Sequence, residues 1–321
     1  MSNPNHSQWT LRENILVVLT LVITLLLGVE LANVIHIIPS HAVISNPIVQ
    51  SKSLRAENTT TYSIAIGIFS VHRPQAPDYV YFEVMSILDT LFVDQKYIKV
   101  DKIHVFDGSF NGSQVRYFKY SPHVVVHPMD LDAYTTVENY AVHRKASLNY
   151  LLALKYLVPQ YNNRVDAFLM LEDDVLFDPH AGYLLWQVLN SVRNLPRFLV
   201  DGYGKGFKPG YARNVQGPVK RFTGEARCCS QAFLLSPQTA RDAIPLIEMS
   251  LNGSMTYDPL DVFLTRSLLQ QRDFQFFFAT SCWVQHVGYP YLGLGHFHRG
   301  CSAMNFEKDI YNQTTHTLSV V

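Results

Sequence analysis

Three consecutive carboxylates, Glu172-Asp173-Asp174, follow the five apolar residues 167–171. Adjacent acids at the end of a buried strand repel one another and lose hydration, which is costly unless a cation compensates. Strand alternation would point Glu172 and Asp174 to one side and Asp173 to the other. One carboxylate can then ligate a divalent metal while a neighbour accepts a hydrogen bond from a sugar hydroxyl. Mg²⁺ and Mn²⁺ take oxygen ligands and bridge to phosphate oxygens, so a nucleoside diphosphate is a natural second partner. The same three residues also suit a solvated acidic turn. Asp178, just before Pro179, reads as a helix cap rather than a ligand.

These acids need a scaffold, and the flanking pattern predicts one. Short apolar runs bounded by turn residues fall at Ser63–Ser70, Lys102–Gly108, His123–Pro128, Asp166–Glu172 and Gln231–Ser236. Helix signals alternate with them. Thr135 to Glu138 is a capping box opening a helix through about Leu157, with Val137, Tyr140, Ala141, Leu148, Leu151 and Leu152 on one face. Asp178-Pro179, Ser236-Pro237 and Asp258-Pro259 each pair an N-cap with proline at the first helical position, predicting helices over about 179–193, 237–251 and 259–271. Strands alternating with helices define an α/β fold with a mixed, mainly parallel sheet flanked by helices, whose ligands bind beyond the carboxyl ends of the strands.

Composition narrows the classes. The chain has 321 residues with 26 Lys+Arg against 26 Asp+Glu, a balance that argues against nucleic-acid binding. With 48% hydrophobic residues it can bury a core. Ile15 to Ile38 spans 24 residues interrupted only by Glu30, the length of a transmembrane helix, and reads as a signal anchor. It would follow a short cytoplasmic tail (1–14) and precede a Pro/Ser/Asn-rich stem (39–60), with 61–321 forming the folded lumenal domain. Sequons at Asn58, Asn111, Asn252 and Asn312 all follow the span and favour a lumenal body, with one more at Asn5 on the other side. The four cysteines suit that compartment. Cross-links from the adjacent Cys228 and Cys229 to Cys282 and Cys301 are one arrangement and free thiols the other.

Several blocks together resemble one family. The strand ending in Glu172-Asp173-Asp174 looks like the EDD form of the DxD motif of GT-A glycosyltransferases. Ile66 to Pro74 looks like their first nucleotide-facing strand and loop. His143 to Tyr150 is similar to the Arg/Lys helix block of N-acetylglucosaminyltransferase IV enzymes, Asp258 to Leu264 to their Pro-Ile-Asp block, and Trp283 to Gly293 to their Gln-His-(Val/Ile)-Gly block. The same blocks recur in the transferase that adds N-acetylgalactosamine to GPI-anchor glycans. They span about 64–295. The chain departs from the family at Ala146-Ser147 and near Tyr291, the latter a region that bears on the acceptor.

The resemblance implies a GT-A-like, Rossmann-like fold and inverting transfer of GlcNAc, or GalNAc, from a UDP-sugar to a glycan hydroxyl, on an N-glycan or a GPI glycan, in the Golgi lumen. It implies Mn²⁺ or Mg²⁺ held by Asp174, with His286 a further ligand. Glu172 and Asp173 would position metal, ribose or donor sugar, and Arg73, Arg144 and Lys145 would contact the diphosphate or uracil. Asp261 would be the general base. Tyr203, Phe207, Tyr211, Tyr289 and Tyr291 are candidates to stack on sugars, and the Gly-rich 202–217 stretch reads as a loop closing over the donor. A catalytically inactive, membrane-anchored glycan-binding relative of the same fold is the alternative.

Overall fold

The structure is a computed structural model that describes residues 60–70, 79–93, 95–108, 118, 120–131, 141–203, 217–222, 231–252, 259–286, 311–312 and 317–318. In chain order its elements are β1 (Tyr62–Ser70), α1 (Tyr79–Ile87, continued by a π-helical turn over Leu88–Phe92), β2 (Ile98–Asp107), β3 (Val124–Pro128), α2 (Ala141–Tyr161), β4 (Ala167–Glu172), β5 (Val175–Phe177), α3 (Ala181–Val192), β6 (Arg197–Asp201), β7 (Val219–Arg221), β8 (Ala232–Leu235), α4 (Pro237–Leu251), α5 (Leu260–Leu269), β9 (Phe274–Ala279) and β10 (Val284–His286). Residues 56–308 form one compact unit. A two-stranded hairpin, β11 (Tyr311–Asn312) with β12 (Thr317–Leu318), falls in a second.

Eight strands form one sheet in the order β3-β2-β1-β4-β8-β6-β9-β7. The pairings of β1 with β2 and β4, β2 with β3, and β6 with β9 are parallel; β8 and β7 run against their neighbours. The sheet is therefore mixed and mainly parallel, as predicted. β1 explains why it must be covered on both faces. Its Ile64, Ile66 and Ile68 join one buried cluster, with α1 and α3, while Ala65 and Phe69 join the other, with α2, α4 and α5. A strand apolar on both faces is stable only between two helical layers.

The helix signals resolve unevenly. Ser236 caps α4 as predicted, its Oγ accepting from Thr239 N at 3.1 Å. Asp178 does not cap α3. Its Oδ1 accepts from His180 N at 2.7 Å, a local turn that delays the helix to Ala181. In α5, Pro259 is extended at the N-cap (ψ 149°), so Asp261 is the second helical residue rather than the third. Helix α2 runs four residues beyond the predicted end at Leu157, through Pro159, because Leu157, Val158 and Tyr161 are all buried. It stops where Asn163 takes a left-handed φ of 56°. Leu152, expected on the apolar face of α2, is only half-buried; that face runs instead through Tyr150, Leu154, Leu157 and Tyr161. Tyr203 is core, 3% exposed, and presents no sugar-stacking surface.

Among the described residues no helix is long and apolar enough to cross a membrane. The tail, the predicted span at 15–38 and the stem up to residue 59 lie outside those residues. So do the capping box at 135–138, Asp258, Phe207, Tyr211, Tyr289, Tyr291, most of the 202–217 loop, and Cys228, Cys229 and Cys301.

Candidate functional site

From β1 the chain lays down β2 and then β3 on one side, and afterwards crosses to place β4 on the other side of β1. The strand order thus reverses between β1 and β4. In open α/β sheets such a switch point leaves a crevice outside the carboxyl ends, where ligands bind. The strand ends there are Ser70 of β1, Asp107 of β2 and Glu172 of β4, with Phe69 opposite Glu172 and Ser70 opposite Asp107.

The acidic triplet is not a solvated turn. Asp173 is 4% exposed and Asp174 1%, while Glu172 is half-buried. Strand β4 ends at Glu172, and Asp173 and Asp174 make the tight turn into β5. Strand alternation therefore stops before them, and both aspartates are buried. Ser70 Oγ donates to Asp173 Oδ2 at 3.0 Å. Glu172 N donates to Gln231 O at 3.1 Å, and Gln231 Nε2 approaches Glu172 Oε2 at 3.5 Å. Two buried carboxylates at one chain reversal have a large desolvation cost, which hydrogen bonds or a positive charge must offset.

Strand β10 pairs antiparallel with β5, placing His286 opposite Val175, the residue after Asp174. The fold thus brings the backbones of Asp174 and His286 together across 112 positions of sequence, counted as 286 minus 174. The His286 side chain lies outside the described residues.

Helix α2 supplies contacts that the sequence signalled only faintly. Asn149 is fully buried and its Nδ2 donates to Ser70 O and Phe106 O, both at 2.9 Å, tying the ends of β1 and β2 together. Next to it, Tyr150 is fully buried with its ring edge-on to Phe69 at 5.0 Å. Burial, and then the Glu172 carboxylate, push the Tyr150 hydroxyl far above its ordinary value, so it stays a protonated donor. Asn149 Oδ1, Tyr150 Oη and Gln231 Oε1 are buried with no hydrogen-bond partner among the described residues. Native structures leave few such atoms, and a cluster of them at a strand-end crevice is what a polar ligand would satisfy.

Of the other expected residues, Lys145 is half-buried in the first turns of α2, one turn before Asn149, and so sits at the same edge. Arg144 belongs to α2, but its side chain, like all of Arg73, lies outside the described residues. Asp261 is half-buried at the start of α5, with its Oδ1 accepting from Val262 N at 2.9 Å. A short link, 270–273, joins α5 to β9, so the α5 N terminus is carried back toward the edge where β9 ends. Cys282 Sγ donates to Tyr203 O at 3.0 Å.

Among the described residues no three His, Cys, Asp or Glu side chains converge into a complete metal cage. The donor chemistry nevertheless fits Mg²⁺ or Mn²⁺, which are commonly bound by one or two carboxylates plus substrate phosphates. No family model matches the chain. No curated protein matches its sequence.

The residues missed in the sequence are Ser70, Asp107, Asn149, Tyr150 and Gln231. Asn149 carried a faint signal, a polar residue flanked by Leu148 and Leu151 on an apolar helix face.

Proposed function

We propose that this chain is an inverting, metal-dependent glycosyltransferase of GT-A-like fold. It transfers GlcNAc, or GalNAc, from a UDP-sugar to a glycan hydroxyl on an N-glycan or GPI glycan. It works in the Golgi lumen as a single-pass type II membrane protein. The observation that carries this reading is the burial of Asp173 and Asp174 in the turn beyond β4, at the switch point of the sheet. The block resemblance supplies the reaction.

Asp174, with His286 paired opposite the next residue, Val175, would hold Mn²⁺ or Mg²⁺, and that cation would neutralise the leaving diphosphate. Ser70 fixes Asp173 so that the pair keeps one geometry as ligands exchange. Glu172 would accept from a donor hydroxyl, and the neighbouring Tyr150 Oη and Gln231 would complete that contact. Lys145, Arg144 and Arg73 would contact the diphosphate or the uracil, as the block resemblance implies. The acceptor hydroxyl attacks the anomeric carbon from the side opposite UDP. Its oxygen forms the new bond as the bond to the β-phosphate oxygen breaks, and Asp261 takes the hydroxyl proton.

The test is turnover of UDP-sugars by the full-length protein in detergent with Mn²⁺. Release of UDP that is abolished by EDTA and lowered at least a hundredfold by Asp174→Asn is expected. Nucleotide binding and turnover indifferent to both would overturn the assignment, and glycan binding without turnover would select the inactive relative.

A further inference from the structure

At the opposite, amino-terminal edge of the strands lies a cavity of about 440 Å³. It opens where β1 begins at Tyr62, some eight residue steps, or about 26 Å, from Ser70 at the other end of the same strand. Arg193, Arg197 and Arg241 line it, from the end of α3, the start of β6 and the first turns of α4. Leu195 and Pro196 supply apolar wall between them.

The arginines differ in how they are held. Arg197 is neutralised by Asp242, Nε to Oδ2 at 2.8 Å. Arg241 has only neutral partners among the described residues, Gln238 Oε1 at 3.0 Å from Nη2 and Asn162 Oδ1 at 3.4 Å from Nη1. The Arg193 guanidinium likewise meets only the Tyr62 hydroxyl among the described residues, at 3.4 Å. The one acid in the lining, Asp166, has Oδ2 already accepting from Ser63 N at 2.7 Å. Among the described residues of the lining, Arg193 and Arg241 without an ion-pair partner face the single carboxylate of Asp166, which leaves an excess of positive charge. Gln238 and Asn162 also hold the Arg241 fork in place, so less side-chain freedom is lost on binding.

We propose that this cavity is a second ligand site, for a small phosphate-bearing molecule. Guanidinium forks recognise phosphate oxygens through paired, charge-assisted hydrogen bonds. The volume exceeds that of a phosphate alone and falls in the range of small-molecule pockets, so the ligand class is a phosphate ester whose organic part rests on Leu195 and Pro196. The site requires no metal and does not depend on the reading of the acidic edge.

The experiment is calorimetric titration of the full-length protein in detergent containing EDTA, which silences metal-dependent diphosphate binding. The probes are inorganic phosphate, glycerol phosphate and dihexanoyl phosphatidic acid. Saturable binding is expected, weakened about tenfold by Arg193→Gln or Arg241→Gln and lost when both are changed. Asp174→Asn and Lys155→Gln, the latter on the α2 surface, should leave it unchanged. Tighter binding of the short-chain lipid than of glycerol phosphate would assign the phosphate to a lipid headgroup; the reverse would assign it to a soluble ester. Absence of binding by the unaltered protein would overturn the proposal. So would equal losses in Asp174→Asn or Lys155→Gln. Should Arg241→Gln fail to fold, Arg193→Gln, an exposed side chain at a helix end, decides the matter alone.

Discussion

Ser70 Oγ donates to Asp173 Oδ2 across 3.0 Å, joining the end of β1 to the turn that follows β4. The bond crosses the switch point of the sheet, and both groups are almost fully buried. A hydrogen bond to a buried carboxylate contributes about 1.5–3 kcal/mol. Ser70→Ala should lower stability by about that much, seen as a drop in the urea midpoint. Turnover should fall by one to two orders of magnitude, because Asp173 loses the contact that fixes it. Unchanged turnover would separate Asp173 from the chemistry.

Gly108 is where the site meets the backbone most tightly. A Cβ there would lie 2.6 Å from Ser70 O and from Leu131 Cδ1, and 3.2 Å from Asn149 Nδ2. The Gly108 amide itself donates to Ser70 O at 3.0 Å. Backbone cannot swing aside as a long side chain can, so Gly108→Ala must displace the end of β1. The expected loss is about 1–3 kcal/mol in urea unfolding, with impaired turnover at temperatures where the protein remains folded. Gly182→Ala serves as the control, since a Cβ there would meet Leu91 Cδ2 at an ordinary 3.7 Å.

How far this arrangement was legible in the sequence depends on whether its cause is local. β1 and β4 were readable because continuous apolar runs end at Ser70 and Glu172, and the carboxylates announce themselves. No strand was expected at 197–201 or 274–279. The first has only three apolar residues, Phe198 to Val200, and the Phe-rich second has no period that separates strand from helix. The antiparallel direction of β8 is set by its partners β4 and β6, not by its own residues. Ser70 looked like an ordinary strand end because the group that makes it important lies 103 positions away. The Asp178-Pro179 and Asp258-Pro259 pairs matched cap statistics in type, but local turn geometry moved the caps to His180 and Pro259.

Tyr150 sets a stability term against a binding term. Its hydroxyl is buried beside Glu172 with no hydrogen-bond partner among the described residues. Leaving such a group unsatisfied costs about 1–3 kcal/mol. Tyr150→Phe should therefore raise the unfolding midpoint of the ligand-free protein while reducing UDP-sugar turnover, with KM for the sugar nucleotide rising more than the Kd for UDP alone. A variant that is destabilised, with kinetics unchanged, would assign the hydroxyl a purely structural place.

The histidine pair on the far side of β2 predicts an acid limb in stability. His104 Nδ1 is 3.0 Å from His127 Nε2, and His104 Nε2 is 2.8 Å from the Tyr161 hydroxyl. Burial, and then His127, lower His104 to about 4, outweighing the opposing influence of Asp101; burial lowers His127 too. A folded pKa below the unfolded 6.5 means the fold favours the neutral ring. Its contribution is complete above about pH 6.5 and is lost as pH falls toward 4, an effect of order 3 kcal/mol for His104. Urea midpoints measured between pH 7.5 and 4.5 should fall in the unaltered protein and fall less steeply in His104→Asn. Parallel slopes would place the acid sensitivity elsewhere.

The indole of Trp283 lies against Gly202, where a Cβ would collide with Cε2, Cζ2 and Nε1 of the ring. Trp283 is fully buried, and its carbonyl accepts from Asp178 N at 2.8 Å. It immediately precedes β10, so the packing of one glycine fixes the strand that sets His286 opposite Val175. Gly202→Ala must move the indole, and with it the start of β10. Overpacking of this kind costs about 1–3 kcal/mol. Misplacing a metal ligand's support lowers metal affinity by about ten- to a hundredfold. The Mn²⁺ concentration for half-maximal turnover should rise by that factor in Gly202→Ala, while excess Mn²⁺ restores most of the rate. If turnover fell without any change in Mn²⁺ requirement, β10 would have no part in holding the metal, and His286 would lose its assigned role.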